Sequence, residues 1–324
     1  MPLLATDSRI VSEARALLQP VFELRAPLLE DSPERRAVLA QVDALVLGTG
    51  WFIREPEFVA APKLRVIGRP GVGLDNIDLA SATRHGVCVI NTPDAPSQST
   101  AEHAVTLIVG LAKGLVRSER GLRERGWESR AEFLGLELKG KTLGLVGVGR
   151  IGGLVAQTCR DGLRMKVLAY DPFIDPARAD ALGVELTPDL NTLLARSDFV
   201  SLHCALSPKT KGLIGAAELA AMKPTAFLIN CARGPIVDEA ALAEALRSRK
   251  IAGAGLDVFA QEPLAADHPF RALDNLVLTP HVASHTAECE IAMHVGCAED
   301  VLRVWRGEKP KALVNVDVWD KRRK

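Results

Sequence analysis

At 324 residues the chain is too long for one compact core, so about two domains are expected. Lys+Arg and Asp+Glu both number 40, and 48% hydrophobic with 25% charged residues is an ordinary globular balance. That balance lacks the basic excess of a nucleic-acid or acidic-membrane binder, and no apolar run reaches the roughly 18 residues of a membrane span.

The start, Met1-Pro2-Leu3-Leu4-Ala5-Thr6-Asp7, has neither the basic opening nor the long apolar stretch of a signal peptide. Further along, short apolar runs alternate with helix-compatible segments. The predicted strands are Ala44–Leu47, Leu64–Ile67, Val87–Ile90, Leu143–Val146, Val167–Tyr170, Phe199–Leu202, Ala226–Ile229, Gly255–Val258 and Leu276–Leu278. Such alternation signals an α/β protein with βαβ units around parallel sheets buried on both faces. Two helix-like stretches, Ala101 to Arg123 and Thr286 to Trp305, read as crossings between domains, so the last part of the chain returns to the first domain. The first crossing is denser in apolar residues than a connector requires. It is expected to bury against a second copy, making a homodimer through 101–123, or against the chain's own core. The six cysteines show no C-x-x-C pair and no metal-finger spacing, so no metal site is expected and a reducing cytoplasm fits. The basic run Lys321 to Lys324 reads as a solvated tail.

The most informative local pattern is Leu143-Gly144-Leu145-Val146 leading into Gly147-Val148-Gly149-Arg150-Ile151-Gly152 and then a helix-compatible run. A lone G-x-G-x-x-G is weak, but here a strand precedes it and a helix follows. Gly147 permits the tight turn, Gly149 lets a pyrophosphate approach the backbone, and Gly152 allows helix and strand to pack closely. The helix start, at Arg150 and Ile151, offers N–H groups and a positive dipole end to phosphates. The next apolar run ends at Asp171, near the spacing of the acid that bonds adenosine ribose hydroxyls. A carboxylate there repels a 2′-phosphate, so NAD is expected over NADP.

Three later segments place ionisable groups at strand ends, where an open α/β sheet binds its ligands. They are Asn230-Cys231-Ala232-Arg233-Gly234, Asp257-Val258-Phe259-Ala260-Gln261-Glu262-Pro263 and Thr279-Pro280-His281-Val282-Ala283-Ser284. Singly, Arg233 reads equally well as an ion-pair partner, His281 as a loop histidine and Glu262 as a turn residue. In this order on this scaffold, the chemical reading is preferred.

From about Leu64 to Glu288 the sequence resembles the D-isomer-specific 2-hydroxyacid dehydrogenases, closest to their 3-phosphoglycerate dehydrogenase branch. The resemblance implies a Rossmann NAD domain (99–286) inserted in a flavodoxin-like substrate domain (1–98 and 287–324), both doubly wound parallel sheets. It implies Arg233 as clamp for a substrate carboxylate, His281 as acid/base and Glu262 as its partner. Asp257 would hold the nicotinamide, while Thr100, His203, Ala205, Cys231 and Ser284 would line the cofactor. In the segment Arg69-Pro70-Gly71-Val72-Gly73, the N–H groups of Val72 and Gly73 would meet the substrate.

Departures lie in Gly48-Thr49-Gly50-Trp51-Phe52-Ile53-Arg54, where Trp51 would narrow the pocket and Arg54 would meet a distal anion. Pro70 and Val282-Ala283-Ser284-His285 also differ from the branch's usual residues. The chain ends at Lys324, so the regulatory domains of some phosphoglycerate dehydrogenases are expected to be absent. The expected partner is a small 2-hydroxy or 2-oxo acid. Two other readings of the scaffold stay open, a nucleotide-sensing corepressor and a formate or phosphite dehydrogenase. Glu262 argues against the formate branch, which would carry glutamine there.

Overall fold

The computed structural model describes residues 1–25, 33–48 and 50–324. Leu3–Thr6 (β1), Glu23–Arg25 (β2), Ala44–Val46 (β3), Val66–Arg69 (β4) and Cys88–Asn91 (β5) form a sheet ordered β2-β1-β3-β4-β5. Every pairing is parallel, so both faces need apolar cover. Successive residues face opposite sides: Leu4 joins Leu18, Phe22 and Val301 on one face, Ala5 joins Trp51, Phe58 and Leu64 on the other. The helix Ala287–Trp305 lies against β4, where Gly68 makes room for it; a Cβ there would come within 2.5 Å of Cys297 Sγ.

The second sheet comprises Thr142–Val146 (β6), Lys166–Tyr170 (β7), Glu185–Leu186 (β8), Phe199–Leu202 (β9), Phe227–Asn230 (β10), Gly253–Leu256 (β11) and Leu276–Leu278 (β12). Its order is β12-β11-β10-β9-β6-β7-β8, again all parallel. The direction of winding reverses between β6 and β9, the switch point at which such sheets open a ligand crevice. The two orders are the flavodoxin-like and the dinucleotide-binding orders, respectively. The chain divides into two compact units, Met1–Pro96 with His285–Lys324, and Ser97–Ser284.

All nine predicted strands are present, shifted by no more than two residues at either end. Three others carry no comparable signal: β1 is a short run beside the N-terminus, and the edge strands β2 (Glu-Leu-Arg) and β8 (Glu-Leu) have little apolar content. The first long helix starts earlier than predicted and is split into Ser97–Lys113 and Leu115–Arg125. Gly114 between them has φ +58°, a left-handed conformation that glycine adopts without a Cβ penalty. The C-terminal basic run departs from a solvated tail. Arg323 donates to the carbonyls of Ala61 and Leu64, at 2.7 and 3.1 Å, because its stem packs back on the first sheet's unit. Among the described residues, no helix is long and apolar enough to cross a membrane.

Candidate active site

Arg233, Glu262 and His281 come from loops after β10, β11 and β12, which are adjacent in the second sheet. His281 Nδ1 lies 2.6 Å from Glu262 Oε2, and the Phe259 N–H donates to Glu262 Oε1 at 3.0 Å. Both carboxylate oxygens are thus held. Burial works against ionising Glu262, but the hydrogen bonds from His281 and Phe259 and the charges of His281 and Arg233 outweigh it. Its carboxyl is held below the usual range. An ionised Glu262 can only accept, so Nδ1 carries the proton and Nε2 is left for a reacting group.

Backbone geometry aims these side chains. His281 has φ +54°, unusual for a residue with a Cβ and a form of strain that collects at functional sites. Its N–H donates to the Asp257 carbonyl at 2.8 Å, fixing the turn. A Cβ on Gly234 would meet the Phe259 carbonyl carbon at 1.9 Å. Only glycine lets the Arg233 segment lie directly against the segment that carries Glu262. Arg233 itself is half-buried and donates to the Ala232 carbonyl at 2.7 Å.

Asp257 is tied into the loop that follows β12. It is 0% exposed and accepts from Thr279 Oγ1 at 2.6 Å and from the N–H groups of Val282 and Ala283 at 2.9 and 2.8 Å. With these bonds Asp257 braces the loop that carries His281. His103 Nε2 joins at 3.0 Å from Thr279 Oγ1. Neither Thr279 nor His103 carries a site signal in the sequence. Their partners are set by the fold and not by neighbours in sequence.

The glycine loop follows β6 at the switch point. A Cβ on Gly147 would meet Cys204 N at 2.9 Å, and one on Gly152 would meet the Gly147 carbonyl oxygen at 2.4 Å, so both glycines are required by close backbone approach. At Gly149 a Cβ would meet nothing within 4 Å, leaving open space above the helix Arg150–Gln157. The N–H groups of Gly149, Ile151 and Gly152 have no acceptor among the described residues. This is an anion cradle at a helix start, and it fits a dinucleotide pyrophosphate. Asp171 at the end of β7 accepts from the Val148 and Phe173 N–H groups at 2.8 and 2.9 Å. Each oxygen keeps a second lone pair, which suits ribose hydroxyls. His203, bonded to Ser201 Oγ at 2.9 Å, closes the loop's other side, and burial lowers its pKa to about 4, keeping it neutral. Ala205 and Arg150 are exposed, Ile151 and Ser284 half-buried. Thr100 and Cys231 are each 7% exposed, so they offer a ligand little surface.

In the other unit, Trp51 is 0% exposed and packs with Phe58 and Leu64. It is a core residue and cannot narrow a pocket, because the strand-end loop turns the indole inward while Asp7 holds the Trp51 N–H at 3.0 Å. Its neighbour Phe52 is 46% exposed, with the exposed Arg54 guanidinium 5.4 Å over its ring. Thr49 lies outside the described residues. After β4, Arg69 donates to the carbonyls of Gly73 and Pro70 at 3.1 and 2.7 Å. The N–H groups of Val72 and Gly73 are left with no acceptor among the described residues.

Residues 105–283 match the family profile for "D-isomer specific 2-hydroxyacid dehydrogenase, NAD binding domain". The chain belongs to the D-isomer specific 2-hydroxyacid dehydrogenases. It is 42% identical over 296 residues to a D-3-phosphoglycerate dehydrogenase of Archaeoglobus fulgidus, covering 90% of this chain and 54% of that protein. It is 40% identical to a glyoxylate reductase of Korarchaeum cryptofilum, covering 98% of this chain and 97% of that one. A crystal structure of a Thermus thermophilus protein superposes with TM-score 0.89 at 33% identity, covering 97% of this chain and all of that one. The chain spans about half the length of the phosphoglycerate dehydrogenases it matches, 50–59%. Within the family's NAD-binding domain lie the glycine loop, Asp171 and the Arg233, Glu262 and His281 constellation.

Proposed function

We propose that this chain is an NAD-dependent dehydrogenase acting on a small D-2-hydroxy acid and its 2-oxo form, in a cytoplasmic homodimer. The observation that carries the reading is the 2.6 Å contact between His281 Nδ1 and Glu262 Oε2, with the Arg233 charge acting on the same carboxylate. When bound, the nicotinamide gives or takes the hydride at carbon 2. His281 Nε2 donates the proton to the substrate's carbonyl oxygen in reduction and removes it in oxidation. Glu262 fixes the ring and stabilises the imidazolium, and the Arg233 fork holds the carboxylate and the 2-oxo oxygen.

The first unit is the proposed substrate-binding domain (1–98 and 287–324) and the second the NAD-binding domain (99–286). Val72 and Gly73 supply N–H groups to a substrate anion, and Arg54 favours a distal anionic or polar group, as in 3-phosphoglycerate, hydroxypyruvate or glyoxylate. Asp171 disfavours a 2′-phosphate and so favours NAD. All six cysteines are free thiols, which suits a reducing compartment.

The test is steady-state NADH turnover with a panel of 2-oxo acids. Hydroxypyruvate, glyoxylate or a phosphorylated oxo acid should outperform a long apolar one, and absence of turnover with every member would overturn the reading. Arg233→Lys should lower kcat/KM by roughly the 1.5–3 kcal/mol of a charge-assisted hydrogen bond, leaving NADH affinity nearly unchanged. NADH binding lost in step with turnover would assign Arg233 a structural role instead.

A further inference from the structure

At the N-terminal edge of the five-stranded sheet, the end opposite the Gly71–Gly73 loop, a second cluster of charge shares no residue with the site above. Arg65 immediately precedes β4, and its N–H donates to the Asp43 carbonyl at 2.9 Å, beside the start of β3. Its guanidinium lies 4.1 Å over the indole of Trp305, the last residue of the helix Ala287–Trp305. Trp305 is itself wedged edge-on against Phe22, with ring centroids 5.1 Å apart, so the platform under Arg65 is fixed.

The guanidinium is short of partners. Nε is shielded from solvent and has no acceptor, and Arg65 forms no ion pair among the described residues. Lys63, Arg323 and Lys324 line the same cleft of about 440 Å³, with Asp43 the one acidic side chain among the described residues of its walls. Arg323 is already committed to the carbonyls of Ala61 and Leu64. Arg322, nearby, is stacked on Trp319 at 3.7 Å and pushes against Arg65 with its charge. Burial and this repulsion disfavour the charged guanidinium more than Asp43 supports it. Three cationic side chains around a stacked arginine, with one acidic side chain among them, are electrostatically costly unless an anion completes them.

We infer that this cleft is a binding site for a phosphoryl anion, with Arg65 at its base and Lys63 and Lys324 at its mouth. A carboxylate has two coplanar oxygens, which the Arg65 fork alone would satisfy. A phosphoryl group has oxygens in three directions and suits a fork plus two ammonium groups converging from other sides. The cleft exceeds what a bare phosphate fills, so a phosphate monoester fits as well as the free ion. The site is independent of the dehydrogenase reading, since no residue of it belongs to the cofactor or substrate machinery.

Calorimetric titration of the whole chain, saturated with NADH and held at constant ionic strength, tests this with inorganic phosphate and with glycerol 3-phosphate. Saturable binding of either is expected, the tighter of the two naming free phosphate or ester as the source. Trp305 fluorescence should change with it, and Trp305→Phe should lose the signal. Arg65→Gln should weaken binding at least tenfold and Lys63→Gln several-fold, with NADH affinity unchanged. Wild-type binding no different from added chloride, or malonate binding more tightly than both probes, would overturn the inference. So would an affinity that survives Arg65→Gln. Should that variant not fold, unchanged affinity in Lys63→Gln, whose side chain is exposed and supports nothing, decides against the site equally well.

Discussion

His281 and Glu262 show how two side chains become a proton-transfer device. Glu262 is held ionised by donors on both oxygens, although burial opposes the charge. A group whose pKa is depressed by folding contributes stability above its unfolded value, and loses that contribution as pH falls through the lower folded value. The pair should therefore survive acidification into the range where an ordinary glutamate protonates. Glu262→Gln keeps the shape and removes the charge that favours imidazolium. In reduction, which needs the protonated ring, activity should then fade at lower pH on the alkaline side. In oxidation, which needs the neutral ring, activity should extend further toward acid. The measurement is the pair of pH–rate profiles for wild type and variant, with substrate and NADH saturating and a deuteride isotope effect showing that chemistry limits the rate. Unmoved limbs would mean that Glu262 is not the partner of His281.

At the scale of elements, the site depends on loops after three adjacent strands, and glycines set how closely those loops pack. Gly234→Ala would drive a Cβ into the Phe259 backbone at 1.9 Å, where nothing flexible can give way. The Arg233 and Glu262 segments must then separate. A displacement near 1 Å at a catalytic group is worth on the order of 10²-fold, so kcat/KM should fall by about that factor. NADH affinity should change far less, because the glycine loop belongs to β6. Near-wild-type kcat/KM would show that the two segments are not coupled.

The glycine loop, Asp171 and the Arg233, Glu262 and His281 segments were legible in the sequence because each is a local pattern at a strand end. Edge strands β2 and β8 were not, since an edge needs no apolar run. Trp51 misled because an aromatic next to a loop arginine reads as a pocket wall, and only the packing of Phe58 and Leu64 around it reveals a core residue. The bracing role of Asp257 was not legible for a related reason. Its partner Thr279 is 22 positions away and His103 is 176 from Thr279, distances over which sequence carries no geometric signal.

At the scale of the whole molecule, the segment after the helix Ser97–Lys113 leaves apolar side chains facing outward. Leu115, Val116, Leu122, Trp127 and Leu134 are 60%, 50%, 52%, 76% and 98% exposed. Single exposed apolar residues are unremarkable; five within twenty positions, with a tryptophan among them, are where the proposed homodimer would make its contact. The ion pairs Arg123–Glu119 and Arg125–Glu132 come from the same stretch and would supply the polar rim of that proposed contact. Light scattering on the purified chain should give a mass about twice its 34.8 kDa. Trp127→Glu combined with Leu134→Glu places two charges where a partner must exclude water, so the double variant should run as a monomer at micromolar concentration. Both side chains are exposed and outside the cores, so its far-UV circular dichroism should match wild type. A wild-type mass equal to one chain, or a double variant that stays dimeric, would remove 115–134 as the contact.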